Sequence, residues 1–290
     1  ASYNANLGMR VYGNTHGINA GYPSSRYSLS CMVIGAQDND MQRDYAYTVS
    51  RKASLLQSAS AVGIEAAKAT VDRLGARKIN TANVPVLLHR DIASSLFGHY
   101  VGAISGGSLY RRSSFLLDSL GKQVFPEWLN IEERPFIKGG LASSSFDNEG
   151  VACSDMTIVD GGKLATYLYT TYSSRKLNTR SNGHAGGIHN WLVGDTGHSD
   201  ADLLKEMGTG LFVTELMGQG VNGVTGDYSR GAAGYWVENG IIQYPVHEVT
   251  IAGNLKDMFK GIVAIGAEKD VRGSVQTGSV LIDQMKIAGS

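Results

Sequence analysis

The segment His184-Ala185-Gly186-Gly187-Ile188-His189-Asn190-Trp191 carries two imidazoles five residues apart, with Asp195 and His198 close behind. A loop made pliable by two glycines can fold both rings onto one metal ion. The same glycines argue against a rigid helical frame, and no Glu lies beside either histidine to act as a base. Three readings stand for this loop: a hydrogen-bonded turn, a polar loop whose His184, His189 and Trp191 touch a substrate or partner, and a metal site.

Another imidazole, His89, closes the strand-like run Val86-Leu87-Leu88 and opens a helix-like segment from Asp91 to His99. His99 lies about 15 Å further along such a helix. Zinc–nitrogen bonds are about 2 Å, so the two rings cannot share one ion without a sharp break. Taken alone, His89 reads as a strand-end histidine satisfied by the backbone.

Other constellations carry less chemistry. Gly218-Gln219-Gly220-Val221-Asn222-Gly223 imitates a dinucleotide loop, but a fingerprint of that kind needs a strand before it and a helix after it. Here β-like residues follow. Asp227 and Tyr228, between glycines, line a cavity, touch a partner or anchor a turn. Ser105-Gly106-Gly107-Ser108 lacks the nucleophile-elbow pattern, and Ser, His and Asp in mere abundance do not make a triad.

The elements that must position these residues are legible. Ser28–Ile34 and Arg43–Val49 read as strands joined by a turn at Gln37-Asp38-Asn39-Asp40. Residues 61–74 take a helical period through Val62, Ala66, Ala69 and Leu74, ended by Gly75. Val84–Leu88 reads as a buried strand, Ile92–Ile104 as a helix broken at Ser105–Ser108, and a second helical run carries Leu109, Phe115 and Leu116. Tyr167–Tyr172 alternates rings and reads as a strand. Asp160-Gly161-Gly162-Lys163 joins two strands, and Asn239-Gly240 between Trp236-Val237 and Ile241-Ile242 is a hairpin turn. Ser199 with Asp202 forms a capping-box pattern at the start of a helix, Asp200–Met207. Hairpins with helices in separate clusters predict an α+β fold with mainly antiparallel sheets.

Composition sets the outer limits. Basic and acidic residues number 26 each, leaving no electrostatic footprint for nucleic acid. No apolar run is long enough to span a membrane and no signal-peptide pattern opens the chain, so the expected location is the cytosol. Two cysteines, Cys31 and Cys153, are too few for a disulfide framework. The 37 glycines are spread among apolar strands and read as tight turns.

The run Val86-Leu87-Leu88-His89 into Asp91–His99, the stretch Met217–Gly231, and the continuation through Gly234–Gly240, Tyr244-Pro245-Val246 and Ile251–Leu255 together resemble the TldD/PmbA family of cytosolic metalloproteases, in its PmbA (TldE) branch. The resemblance implies that residues 1–290 are the C-terminal domain of a longer protein with an additional N-terminal domain. It also implies where a zinc site would be. In the TldD branch the helix bears His-Glu, three residues, then His, and a Cys near the C-terminus completes the ligands. The matching positions here are His89, Arg90, Ser94 and Thr277. One imidazole cannot hold catalytic zinc, and a guanidinium is always protonated and cannot be a base. The expectation is therefore a chain with no metal and no catalytic residue of its own, paired with a TldD-type subunit that supplies zinc, base and thiolate for cutting unfolded peptides such as antitoxins and microcin precursors. The alternatives are a homodimer that binds peptides without catalysis, and an independent metallohydrolase using the His184/His189 loop. The Gly-rich β surface from Tyr228 to Tyr244 is expected to expose rings and form an oligomer interface.

Overall fold

A computed structural model describes residues 1–38 and 40–289. It opens on three long antiparallel strands, β1 (Ser2–Gly13), β2 (Asn19–Gln37) and β3 (Asp40–Ser50). Asn39, in the turn expected between β2 and β3, lies outside the described residues. Helix α1 (Ala59–Asp72) lies on one face of this sheet. Val62 and Ala66 pack there against Leu29, Cys31, Val33 and Ala46. The helix starts where Ser58 accepts a bond from the Ala61 N–H, a side-chain cap for an otherwise unpaired donor.

The remaining chain builds two further sheets around one core. One has six strands in the order β11 (Ile241–Asn254), β10 (Asp227–Glu238), β9 (Gly210–Val221), β4 (Ala82–Leu88), β14 (Val280–Ala288) and β12 (Ile262–Ile265), with β11 also reaching β14. The other runs β13 (Val275–Gln276), β8 (Trp191–Val193), β5 (Ile131–Glu133), β6 (Met156–Asp160) and β7 (Lys163–Leu164). Among these strands, only the pairings of β4 with β9 and of β8 with β13 run parallel. The fold is α+β and mainly antiparallel, as the hairpin pattern predicts.

Helix α2 (Arg90–Ala103) is the hub of the core. Its Tyr100 meets Phe125 edge-on at 4.9 Å, Phe259 at 5.7 Å and Trp191 at 6.0 Å, all wholly buried. Phe259 belongs to α6 (Leu255–Lys260) and Trp191 to the small sheet, so one ring joins three elements. The hairpin at Asn239-Gly240 forms with both residues at positive φ, 51° and 76°, the geometry that favours Asn-Gly in a tight β-turn. Helix α5 (Asp200–Met207) carries the full Ser199/Asp202 capping box.

Three expectations give way. Ser105 does not merely break a helix: its side chain caps a new short one, α3 (Gly106–Tyr110). That helix ends before Arg112, at φ 54°, so the buried Phe115 and Leu116 lie outside any helix. Tyr167–Tyr172 is not a strand, because Thr170 and Ser173 cap each other and start α4 (Thr171–Lys176). The surface from Tyr228 to Tyr244 does not display its rings either. Tyr228 is buried, and Tyr235, Trp236 and Tyr244 are half-buried against the core. The exposed apolar residues there are Ile241 and Ile242, at 64% and 44%, and the first sheet exposes more, with Leu7 78% and Met9 71% exposed.

Candidate functional site

Two places gather the chemistry, one at the N-terminus of α2 and one buried in the small sheet. At the first, β4 delivers His89 to the N-cap position. Its backbone N–H donates to the Val213 carbonyl at 2.9 Å, and its Nδ1 accepts from the Asp91 N–H at 3.4 Å. The ring rests edge-on against Phe212. The next residue, Arg90, donates its backbone N–H to Ser279 Oγ at 3.0 Å, which draws the 268–279 segment onto the helix. Thr277 in that segment is fully buried, its hydroxyl bonded to the Gly278 carbonyl at 3.2 Å and its own carbonyl accepting from the Asp270 N–H. Ser94 lines a cleft of about 270 Å³ with Arg43, Tyr45, Arg73, Asp91 and Glu215. The chain thus brings the segments bearing His89, Arg90, Ser94 and Thr277 together.

What fills the space between them is charge already paired. The Arg90 guanidinium bonds Glu268 and lies 3.7 Å from Asp200. Burial opposes its charge, but Glu268, Asp200 and Asp91 outweigh burial and hold it protonated. Asp91 binds Arg272, which also pairs with Asp270 at 2.8 Å. A divalent cation does not fit this place. It would find one imidazole, whose Nδ1 already caps the helix, and carboxylates already neutralised by two guanidinium groups. His99 does not rescue it, for its ring packs against Tyr228 at 5.8 Å on a later turn of α2.

The second place is the His184/His189 loop, and it lies inside the protein. Both rings converge on one carboxylate, Glu133 of β5. His184 Nε2 is 3.1 Å from Glu133 Oε1 and His189 Nδ1 is 2.9 Å from the same oxygen. Trp191 Nε1 donates to Glu133 Oε2 at 2.6 Å. On their outer sides, His184 Nδ1 meets Asn182 Oδ1 at 2.9 Å and His189 Nε2 meets Cys153 Sγ at 3.5 Å. Burial alone would raise the Glu133 carboxyl, but the hydrogen bonds and charge of His184 and His189 bring it down to about 2. Burial likewise works against a charged His189, yet its bonds to Cys153 and Glu133 raise it to about 9.

Local sequence explains how the loop gets there. Gly186 stands at φ 107°, and a Cβ on it would strike the Asn148 side chain at 2.2 Å, so only glycine lets the loop pass. Asn190, at φ 46°, anchors the exit. Its amide donates to the Arg134 carbonyl and Ser143 Oγ, while its Oδ1 accepts from the Ala142 N–H. Asp147 Oδ2 accepts from the Ala185 N–H at 2.9 Å.

Of the residues expected to touch a substrate or partner, His184, His189, Trp191 and Tyr228 are buried. Asp227 alone is exposed, and it anchors a turn by accepting from Thr225 Oγ1 at 2.6 Å and Asn254 Nδ2 at 3.2 Å. Asp195 and His198 stay outside the cluster, with Asp195 bound to Lys269 at 3.0 Å and His198 to Thr196. Glu133 escaped the reading of the sequence. Its signal is the period of two, since Ile131 is buried and Glu133 shares its face of the strand. Cys153 is a buried free thiol and a neighbour of His189.

A hub helix between a mixed six-stranded sheet and a small five-stranded one, with a paired-charge cluster at its N-terminus, forms an α+β domain whose sequence matches a metallopeptidase family. Residues 81–289 match the model of the PmbA/TldA metallopeptidase C-terminal domain, and residues 1–74 match the central domain of the same family. The chain belongs to the PmbA/TldD metallopeptidase family. It is 57% identical over 288 residues to the metalloprotease PmbA of Escherichia coli O157:H7, covering 99% of this chain and 64% of that protein. It is 56% identical to a PmbA homologue of Haemophilus influenzae, covering 100% of this chain and again 64% of the relative. The chain thus spans slightly less than two thirds of the length of these relatives. A crystal structure from Thermotoga maritima, described as a proposed modulator of a DNA gyrase, superposes with a TM-score of 0.91 at 30% identity over 99% of this chain and 68% of that one. TldE from Thermococcus kodakarensis shares the fold, with a TM-score of 0.88 at 19% identity, covering 99% of this chain and 68% of that one. No helix among the described residues is long and apolar enough to cross a membrane.

Proposed function

We propose that this chain is the non-catalytic partner in a TldD/PmbA-type zinc metalloprotease that cuts unfolded peptides in the cytosol. The observation that carries this reading is Arg90, bound to Glu268 and Asp200 at the position where a TldD-type chain has its general base. A permanently protonated group there cannot accept a proton from water, and its pairing leaves no open coordination position. The catalytic zinc, base and thiolate then come from a TldD-type subunit. This chain contributes walls of the enclosure, including the Ser94-lined cleft. The test is peptidase assay of an unfolded reporter peptide with this chain alone, with a TldD-type protein alone, and with both. Chelator-sensitive cleavage that requires the mixture supports the reading. Cleavage by this chain alone sinks it, and binding of the peptide by a homodimer without cleavage in any mixture favours the peptide-binding alternative.

A further inference from the structure

We propose that Glu133, His184 and His189 are the ligands of a structural divalent metal site of the zinc class, separate from the N-terminus of α2. Two imidazoles and one carboxylate are the donor set borderline divalent ions take, and their ligand atoms all lie within 4.8 Å of one another. Three protein ligands leave a fourth position for a water, and in such a tetrahedral site with bonds of about 2.0–2.1 Å neighbouring ligand atoms stand about 3.3 Å apart. The contacts of 3.1 and 2.9 Å to Glu133 Oε1 need to open by a few tenths of an ångström, and the two imidazole nitrogens, within 4.8 Å of each other, need to settle at that spacing.

The outer contacts follow the pattern that orients metal ligands. Metal-bound imidazoles present their second nitrogen to a fixed partner, and ligating carboxylates are hydrogen-bonded in turn. Asn182 holds His184, and its orientation is set because its Oδ1 accepts from the Tyr169 N–H while its Nδ2 donates to the Tyr167 carbonyl. Trp191 donates to Glu133 Oε2, which His184 Nε2 also approaches at 3.2 Å, while Oε1 faces both imidazoles. Cys153 lies on the far side of the His189 ring, so it is an outer contact and not a ligand. Both nitrogens of His184 face oxygen acceptors. A metal ion at the centre would take the place of the inner contact, while Asn182 keeps the outer one.

The site joins the 182–190 loop to β5 and β8, so its effect is on order and stability, not on hydrolysis. The experiment is zinc content of the purified chain by elemental analysis, followed by chelation and titration with cobalt(II), whose visible bands report tetrahedral coordination. The expected result is one zinc per chain and cobalt bands. Both are lost in Glu133→Gln and unchanged in His89→Ala, which separates this site from the α2 positions. Asn182→Ala weakens binding about 10–100-fold. His184→Cys keeps a ligand and adds a thiolate-to-cobalt charge-transfer band, which tests the assignment even where Glu133→Gln does not fold. A natively folded chain that takes up neither ion overturns the proposal. So does metal retained in folded Glu133→Gln, or metal lost in His89→Ala.

Discussion

The guanidinium of Arg272 lies 4.3 Å over the ring of Tyr47, joining the segment that bears Thr277 to the third strand of the first sheet. Arg272 also binds Asp91 and Asp270, so one side chain links the central-domain match to the N-terminus of α2. Burial disfavours its charge, but Asp270 and Asp91 outweigh that and hold it on.

Loss of this contact is expected to loosen the junction. In a double-mutant cycle with Arg272→Ala and Tyr47→Leu, the coupling energy is expected at about 0.5–2 kcal/mol in favour of the pair. Arg272→Lys keeps the charge but not the planar stack, and recovers only part of it. Urea unfolding of the four proteins of the cycle, and of Arg272→Lys with and without Tyr47→Leu, measures this. A coupling indistinguishable from zero means that the stack does not hold the junction.

Gly234 gives a sharper test of the main sheet. It stands at a register shift in β10, and a Cβ there would lie 1.9 Å from the Phe212 carbonyl oxygen and 2.8 Å from Val213 Cα. Both obstacles are backbone, so they cannot swing away. Gly234→Ala is expected to lose about 1–3 kcal/mol or more. Gly223→Ala, where nothing lies within 4 Å, is the control and is expected to change stability by less than about 1 kcal/mol. Equal melting temperatures for the two variants contradict the packing described for β9 and β10.

With any metal removed by chelator, the buried cluster should give stability two pH limits. Glu133 falls to about 2 from the ordinary value of 4.5, so its contribution is complete above about pH 4.5 and disappears as pH falls towards 2. His189 rises to about 9 from 6.5, so its contribution is complete below about pH 6.5 and disappears as pH climbs through 9. His184 and Cys153 face the same groups, and Trp191 adds its N–H. Thermal melts across pH, compared with Glu133→Gln, isolate these limits. The variant should be less stable near neutrality and flatter on both sides. Parallel pH profiles for the two proteins contradict the assignment.

The fold was readable wherever a local signal agreed with its surroundings. The Asn239-Gly240 turn, the Ser199/Asp202 box and the alternating strands each carry their own instruction, and the structure follows them. Tyr167–Tyr172 alternates rings as a strand does, but the Thr170/Ser173 cap three residues apart outweighs that pattern and starts a helix. The buried cluster was half legible. His184 and His189 stand out by spacing, but Glu133 lies 51 residues before His184, and only strand pairing brings it in. Burial was not legible for the loop, because a Gly-rich polar segment reads as surface until its anchors Asn190 and Asp147 are seen.

The last prediction concerns the positions at the start of α2. If the family scaffold persists there, Arg90→Glu, Ser94→His and Thr277→Cys together should create a zinc site around His89. Thr277→Cys is close in size at a fully buried position, and Ser94 opens on a cleft with space for an imidazole. Arg90→Glu is the costly step, because it sets a carboxylate beside Glu268 and Asp200 in place of their partner. Alone, it should lower stability by about 1 kcal/mol, the scale of a partly exposed ion pair. None of the three single variants should gain zinc affinity, since no two new ligands would coexist. The triple variant should bind, but about 10–100-fold more weakly than a TldD-type chain, because the groups that orient its imidazoles are not in place. The titrations belong on a Glu133→Gln background, so that zinc held by the buried cluster does not mask the result. A folded triple variant with no gain over its background would mean that Arg272 and its carboxylates still close the space, or that His89 is out of register with the family site.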